Sequence, residues 1–333
     1  MSRAATEARA GGAGRAAGLD IAFDDAQQAI ADALRAFCAD RCSEAVVKEC
    51  AGRFPAELWQ ELASLGVLAL VTPEGDGGAC ELVAALEPLG RAVFPGPLAH
   101  TFLATQLLPA PERAALARGE AVVSVGTPPL LPFAPVARVF IELDGERAFR
   151  ARPVGAIEAV ETLGGEPWGR VGLERLEELP GVERAFAVYE IALAAYLAAA
   201  GQGLVEATAR HASTRRQFGR AIGEFQAVAH PLAECWIRLS AAETLARAAA
   251  YGFDGGEPGA RATAAAARLS ARRAALEAAH VCHQLFGALG ITLEGPVFHV
   301  SRRIRQLASQ APGEASAREA LLRGLEREGQ GRA

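Results

Sequence analysis

Aromatic residues are scarce in this 333-residue chain, at 6%, and there is a single methionine. β-Branched residues gather only around positions 121–141, while alanine and leucine dominate elsewhere, which favours a mostly helical protein with a small β insert. A cationic surplus is missing too: the net charge is −5 and the lysines and arginines are scattered, so nucleic acid is not expected as a partner. The six cysteines, at 38, 42, 50, 80, 235 and 282, have no framework spacing and no C-x-x-C pair. Cys38 and Cys42 stand one helical turn apart, and His280, Cys282 and His283 crowd together. Small apolar cysteines in helices explain them more simply than zinc, no metal is expected, and reduced thiols fit a cytoplasmic protein. The opening MSRAATEARAGGAGRAAG lacks an apolar core segment, so residues 1–18 read as a disordered tail rather than a signal peptide. One long apolar run exists, Ala185 to Gly201, of about the minimum length to span a bilayer. It carries Glu190 and lacks flanking aromatic belts, so a buried core helix is expected and no membrane partner. No internal repeat is present.

With 51% hydrophobic residues the chain can bury a large core and exceeds the usual size of one domain. Leu19 to about Cys50 has helical spacing, with Ile21, Phe23, Ile30, Leu34 and Phe37 near one face and Asp24 or Asp25 as cap. A second helix is expected over Phe54–Gly66, with Trp59, Leu62 and Leu65 inward and Gly66 closing it. Thr72–Gly78 is a loop, and Pro95 and Pro97 make a joint to a further helix reaching Leu108. Residues 119–180 change character: AVVSV, ARVFIEL and Trp168–Leu173 read as strands, with a hairpin on Asp144-Gly145. From 181 the pattern is helical again, over 182–213, 224–254 and 259–287, with a shorter helix from Pro296 carrying Arg302, Arg303 and Arg305. The expected organisation is therefore an N-terminal helical domain over 19–118, a short β domain over 119–180 and a C-terminal helical bundle over 181–333.

The stretch HASTRRQFGRAIGEFQ, from His211 to Gln226, carries the densest chemistry. Arg215, Gln217, Phe218 and Gly219 place a cation, an amide, an aromatic ring and a flexible residue within five positions. An arginine there can make paired bonds to a phosphate and a phenylalanine can lie against a planar ring. That suits a dinucleotide. An exposed helix end of the same composition is the plainer alternative.

RQFGRAIGEFQAVAHPLAE, followed by QLFGALGITLEGPVFHVSRRIR, resembles the carboxy-terminal half of an acyl-CoA dehydrogenase. FPAELWQELASLGVLALVTPEGDGG and LEPLGRAVFPGPLA resemble its first third, which implies a helix over Glu81–Phe94 after the Thr72–Gly78 loop. The resemblance implies a helical domain, a β domain and a four-helix bundle, assembled into an oligomer with FAD between domains and across a subunit interface. Arg215, Gln217 and Phe218 match the segment that holds the ADP half of a neighbour's flavin. Gln284 and Gly287 match a Q-x-x-G-G group that also touches the cofactor, with Ala288 replacing its second glycine. The family's T-E-P-G-A-G-S-D flavin loop is missing, and Thr127-Pro128 is its only remnant. The implied reaction removes an α-proton from an acyl-CoA thioester with a carboxylate while the β-hydrogen leaves as hydride to FAD, electrons passing on to electron-transfer flavoprotein or another acceptor. Where many members carry that base, this chain reads Gln310-Ala311-Pro312-Gly313. Others carry it on the helix before the R-x-Q-F-G segment, where Glu190 lies within one residue; apolar neighbours such as Phe186, Ala187, Leu193 and Ala194 would desolvate it. Glu190 is thus the candidate base, with Glu314 as a later carboxylate. Some relatives acting on steroid side-chain thioesters are heteromers with a trimmed subunit, so two readings stand: an enzyme subunit, homomeric or heteromeric, and a non-catalytic homologue that completes a partner's FAD site.

Overall fold

The computed structural model describes residues 21–50 and 52–330, so the tail expected over 1–18 lies outside the described residues. Asp24 opens helix α1 (Asp25–Arg41) with a reciprocal cap: its carboxylate accepts from the Gln27 amide, and the Gln27 side chain reaches back to the Asp24 N–H. Ile21 and Phe23 precede this helix, and Phe23 lies beneath the Arg247 guanidinium at 4.0 Å. The single helix expected as far as Cys50 is two. Ser43 caps a new turn, α2 (Glu44–Glu49), by accepting from Val46 N–H. Helix α3 (Ala56–Ser64) buries Trp59 and Leu62 as expected, but Leu65 is 53% exposed. It is the cap residue, where the chain leaves the apolar stripe and turns through Gly66 at φ 78°.

Helices α4 (Ala79–Arg91), α5 (Leu98–Leu107) and α6 (Ala110–Ala117) complete the first part of the chain. The end of α4 falls three residues before the expected Phe94, because Val93 adopts φ 54° and the helix cannot pass through it. Five strands follow: β1 (Val123–Gly126), β2 (Leu130–Pro132), β3 (Val139–Asp144), β4 (Arg147–Val160) and β5 (Trp168–Glu178). Their spatial order is β1-β3-β4-β5-β2, with only the β1–β3 pair parallel. Asp144 pairs with Arg147 across the expected hairpin turn, and Gly145 supplies its positive φ. Leu131, Phe140, Ala151 and Val171 give the sheet a small core of its own.

The rest is helical, apart from a two-stranded ribbon, β6 (Arg216–Gln217) and β7 (Arg220–Ala221). The helices are α7 (Val182–Thr214), α8 (Gln226–Asp254), α9 (Ala260–Phe286), α10 (Pro296–Ser309) and α11 (Glu314–Gln330). The last of these was not anticipated from its pattern. The apolar run of α7 is buried over 94% of its most hydrophobic window, so it is the core helix expected and not a surface one. The architecture is the one anticipated, mostly helical with a small sheet.

Close approach of α4 to α7 depends on Gly90, where an added Cβ would stand 2.5 Å from the Tyr196 carbonyl oxygen. Alanine would gain about 1 kcal/mol of helix propensity there. The obstacle is backbone and cannot rotate away, so overpacking wins, and Gly90→Ala should destabilise the chain by about 1–3 kcal/mol in urea unfolding. A neutral or stabilising effect would contradict this packing.

Candidate functional site

Residues Ala185 to Gln202 of α7 are buried on every side, Glu190 included, at 0% exposure. A lone carboxylate in such a place costs several kcal/mol unless cations meet it. Two do, both from α9: Arg261 Nη1 donates to Glu190 Oε2, and Arg268 Nη1 lies 3.8 Å from Oε1. The two arginines are seven residues apart, two turns of helix, and so share a face. Burial lowers the pKa of both, that of Arg261 to about 10, which leaves them cationic at neutral pH.

Arg268 does more than face Glu190. Its guanidinium donates to the carbonyls of Gln310, Pro312 and Gly313, the loop where many relatives are expected to carry their base. A carbonyl can only accept, so His100 Nε2–H, 2.6 Å away, donates to Ala311 O in the same loop. The His100 ring is stacked on Tyr189, with centroids 5.3 Å apart and planes at 12°. Tyr189, His100 and the 310–313 loop therefore form one packed layer beside Glu190.

Gln310 joins this layer to a second buried cluster. Its side chain, and that of Gln306, donate to Glu166 Oε2 at 2.7 and 2.8 Å. Glu166 sits between β4 and β5, and its other oxygen pairs with Arg303 of α10, whose Nη2 reaches the Gly96 carbonyl at 2.7 Å. Burial pushes the Arg303 guanidinium down to about 9. The junction holds a cavity of about 30 Å³, room for about two waters.

At the far end of α7 the chain turns outward. Arg215 leaves the helix, and β6 and β7 meet at Phe218 and Gly219, both at positive φ (54° and 81°). Positive φ is uncommon for a bulky residue and marks a constrained turn. Phe218 is 94% exposed, its ring edge-on to that of Phe225 with centroids 6.2 Å apart. Arg215 and Gln217 are exposed, and among the described residues no acceptor engages the Arg215 guanidinium. Gln284 is exposed on the last turn of α9, and Gly287 follows at φ 57° with open space where a Cβ would project. His211 stacks on Phe286 at 4.2 Å, which ties the ends of α7 and α9 together. All five residues singled out for cofactor contact therefore stand at one end of the bundle. Glu190 is about 37 Å along α7 from Arg215 at the ordinary helical rise.

These residues fit the phosphate and adenine half of a dinucleotide: a free cation, an amide, an exposed ring and an open glycine. Of the family's flavin loop this chain keeps only Thr127-Pro128. Thr127 Oγ spends its proton on the Leu143 carbonyl at 2.9 Å, and the Glu166 cluster closes the junction of sheet and α10. A Cβ on Gly164 would overlap Gln306, which measures how tightly that loop is seated.

A family model of the acyl-CoA dehydrogenase C-terminal domain matches residues 181–313, and one of the N-terminal domain matches residues 24–110. The acyl-CoA dehydrogenase IpdE2 of Mycobacterium tuberculosis is 31% identical over 261 residues, 72% of this chain and 78% of that protein. The chain belongs to the acyl-CoA dehydrogenase family. Among solved structures it is similar to the ChsE4–ChsE5 complex from Mycobacterium tuberculosis (TM-score 0.76, 22% identity, 92% of this chain and 99% of that one). It is also similar to an FAD complex of PigA (TM-score 0.78, 18% identity, 92% and 99%). The five-stranded sheet lies within residues 111–180, which neither acyl-CoA dehydrogenase model matches.

Sequence reasoning placed Glu190 but missed Arg261, Arg268, His100 and Glu166. A signal for the arginines existed. They interrupt the alanine stripe of α9 two turns apart, and a buried carboxylate on a neighbouring helix calls for such partners.

Burial holds the His100 pKa down at about 4, so the folded chain refuses a proton that the unfolded chain binds near 6.5. Stability from this group is complete above 6.5 and is lost as the pH falls through that window. Between pH 7 and pH 5 wild type should lose about 2 kcal/mol more than His100→Gln in urea unfolding. Equal losses would contradict a buried neutral imidazole.

Proposed function

We propose that this chain is a subunit of an FAD-dependent acyl-CoA dehydrogenase, assembled with a homologous chain, and that it holds the ADP half of a flavin seated mainly in that partner. The observation that carries this is the exposed Arg215–Gly219 turn. It presents an unengaged guanidinium and an almost fully exposed ring on constrained backbone, while Thr127, in the remnant of the flavin loop, is turned to the Leu143 carbonyl. Arg215 suits the pyrophosphate, and Phe218 an adenine face. Gln217 and Gln284 offer amides, and Gly287 allows close approach. When bound, FAD supplies the acceptor for the β-hydrogen of the acyl-CoA thioester. Trp236 and Ile237, exposed side by side on α8, suit contact with a second, homologous subunit. The ChsE4–ChsE5 complex is a solved assembly of two differently named chains, which supports a mixed partnership. Electron-transfer flavoprotein or another acceptor would then reoxidise the flavin.

Glu190 is the carboxylate we assign to α-proton removal, at a different flavin from the one Arg215 holds, because the two residues stand about 37 Å apart along α7. The second reading, a subunit that only completes its partner's site, is favoured by the engagement of Glu190 with two guanidiniums and by Ala311 at the loop position. Glu190→Gln in the assembled protein separates the two: loss of thioester-dependent flavin bleaching with FAD retained supports the first, and bleaching at the wild-type rate supports the second.

Arg215→Ala should weaken FAD retention by about 1.5–3 kcal/mol, a 10- to 150-fold rise in Kd, through loss of a charge-assisted phosphate bond. Flavin fluorescence during dialysis of the assembled protein reads this directly. Unchanged retention would remove Arg215 from the site.

A further inference from the structure

Arg261 stands between two carboxylates from different parts of the fold. Nη1 is on Glu190 of α7, and Nη2 is 4.0 Å from Glu146 Oε2 in the turn of the β3–β4 hairpin. Its side chain is only 10% exposed, yet Nε and Nη2 have no hydrogen-bond partner. Glu146 is itself held in place, accepting from Ser316 Oγ at 2.6 Å and pairing with Arg323 at 3.2 Å. Glu190 Oε1 likewise lacks a hydrogen bond. Neither end of the Arg261–Glu190 pair is fully satisfied, and Glu146 is a second carboxylate 4.0 Å from Arg261 Nη2.

Arg261 also lies on the wall of a cavity of about 940 Å³ bounded by the start of α7, the loop before α9 and α11. Ala187, one turn before Glu190 and on the same face, lines that cavity too. The Arg261 guanidinium thus borders both the Glu190 carboxylate and this open space. The other charged groups around this cavity are Glu183 and Arg184 on α7, Glu257 before α9, and Arg323 and Arg327 on α11, with Arg268 behind Glu190.

We propose that Arg261 is a positioning residue that gates Glu190: seated on Glu190 it masks the carboxylate, and turned towards Glu146 it opens the carboxylate to the cavity. The proposal rests on the reading of Glu190 as the base. Glu146 ties the gate to the sheet, so the hairpin and α7 share one cation. Without Arg261 the carboxylate would lose its nearest opposite charge and hold its proton more tightly.

The first test needs no cofactor. In the full chain, the Glu190 carboxyl carbon is followed by 13C NMR against pH, with Glu190→Gln to assign the resonance. Arg261→Met should move its midpoint up by about one to three pH units, and Arg261→Lys should restore it towards wild type. An unmoved midpoint in a folded Arg261→Met variant would overturn the proposal. If the methionine variant fails to fold, the lysine variant decides by the same midpoint, which must then match wild type. The second test uses the assembled, flavin-loaded protein. Glu146→Gln should slow thioester-dependent bleaching at least about fivefold with the same FAD content and the same acid limb of the pH profile; an unchanged rate would overturn the release step. If Glu190→Gln bleaches normally in that assembly, the assignment of the base has failed, and the NMR midpoint still reports whether Arg261 holds Glu190.

Discussion

The charge of Glu190 sets most of what surrounds it. A carboxylate in the middle of a helix buried on all sides must be met by cations that approach from within the protein, and α9 brings two of them on one face. Arg268, once drawn to that position, donates from Nη1 and Nη2 to the carbonyls after α10. Gln310 then links those carbonyls to Glu166 and Arg303, so the chain of polar contacts runs from the core helix to the sheet. Buried pairs of this kind add little net stability, because desolvation offsets most of the attraction. What they contribute is registry: α7, α9, α10 and the β4–β5 loop can meet in only one arrangement that leaves no charge alone.

The opposite end of the bundle is built on the contrary principle. There the chain spends backbone strain at Phe218 to hold a ring out in water, with Arg215 beside it. A monomer gains nothing from such a turn. It suits the proposed role, in which the ligand and much of its site belong to another chain. The inside of the molecule is occupied by its own ion pairs.

Much of this was legible in the residues, and the parts that were not have physical reasons. Helical periodicity located α3 and the long helices, and Asp144-Gly145 located the hairpin, because both signals are local. The division between α1 and α2 was missed because Ser43 acts through a single cap that the apolar spacing runs across. Leu65 was misplaced because a helix-end residue keeps the sequence spacing of the stripe after the backbone has left it. Arg215, Gln217 and Phe218 could be named from a motif, but their exposure depends on a two-residue ribbon with no pattern of its own. The burial of Glu190 could be anticipated from its neighbours on α7. Its engagement by Arg261 and Arg268 could not, since contacts across 71 and 78 positions of sequence leave no local trace.

The central claim is that one flavin is shared between this chain and a homologous partner. Visible absorption of the chain purified alone, and again after co-purification with such a partner, measures it most directly. The account predicts a colourless chain alone and a yellow complex. A stoichiometric flavin spectrum from the chain by itself would contradict it.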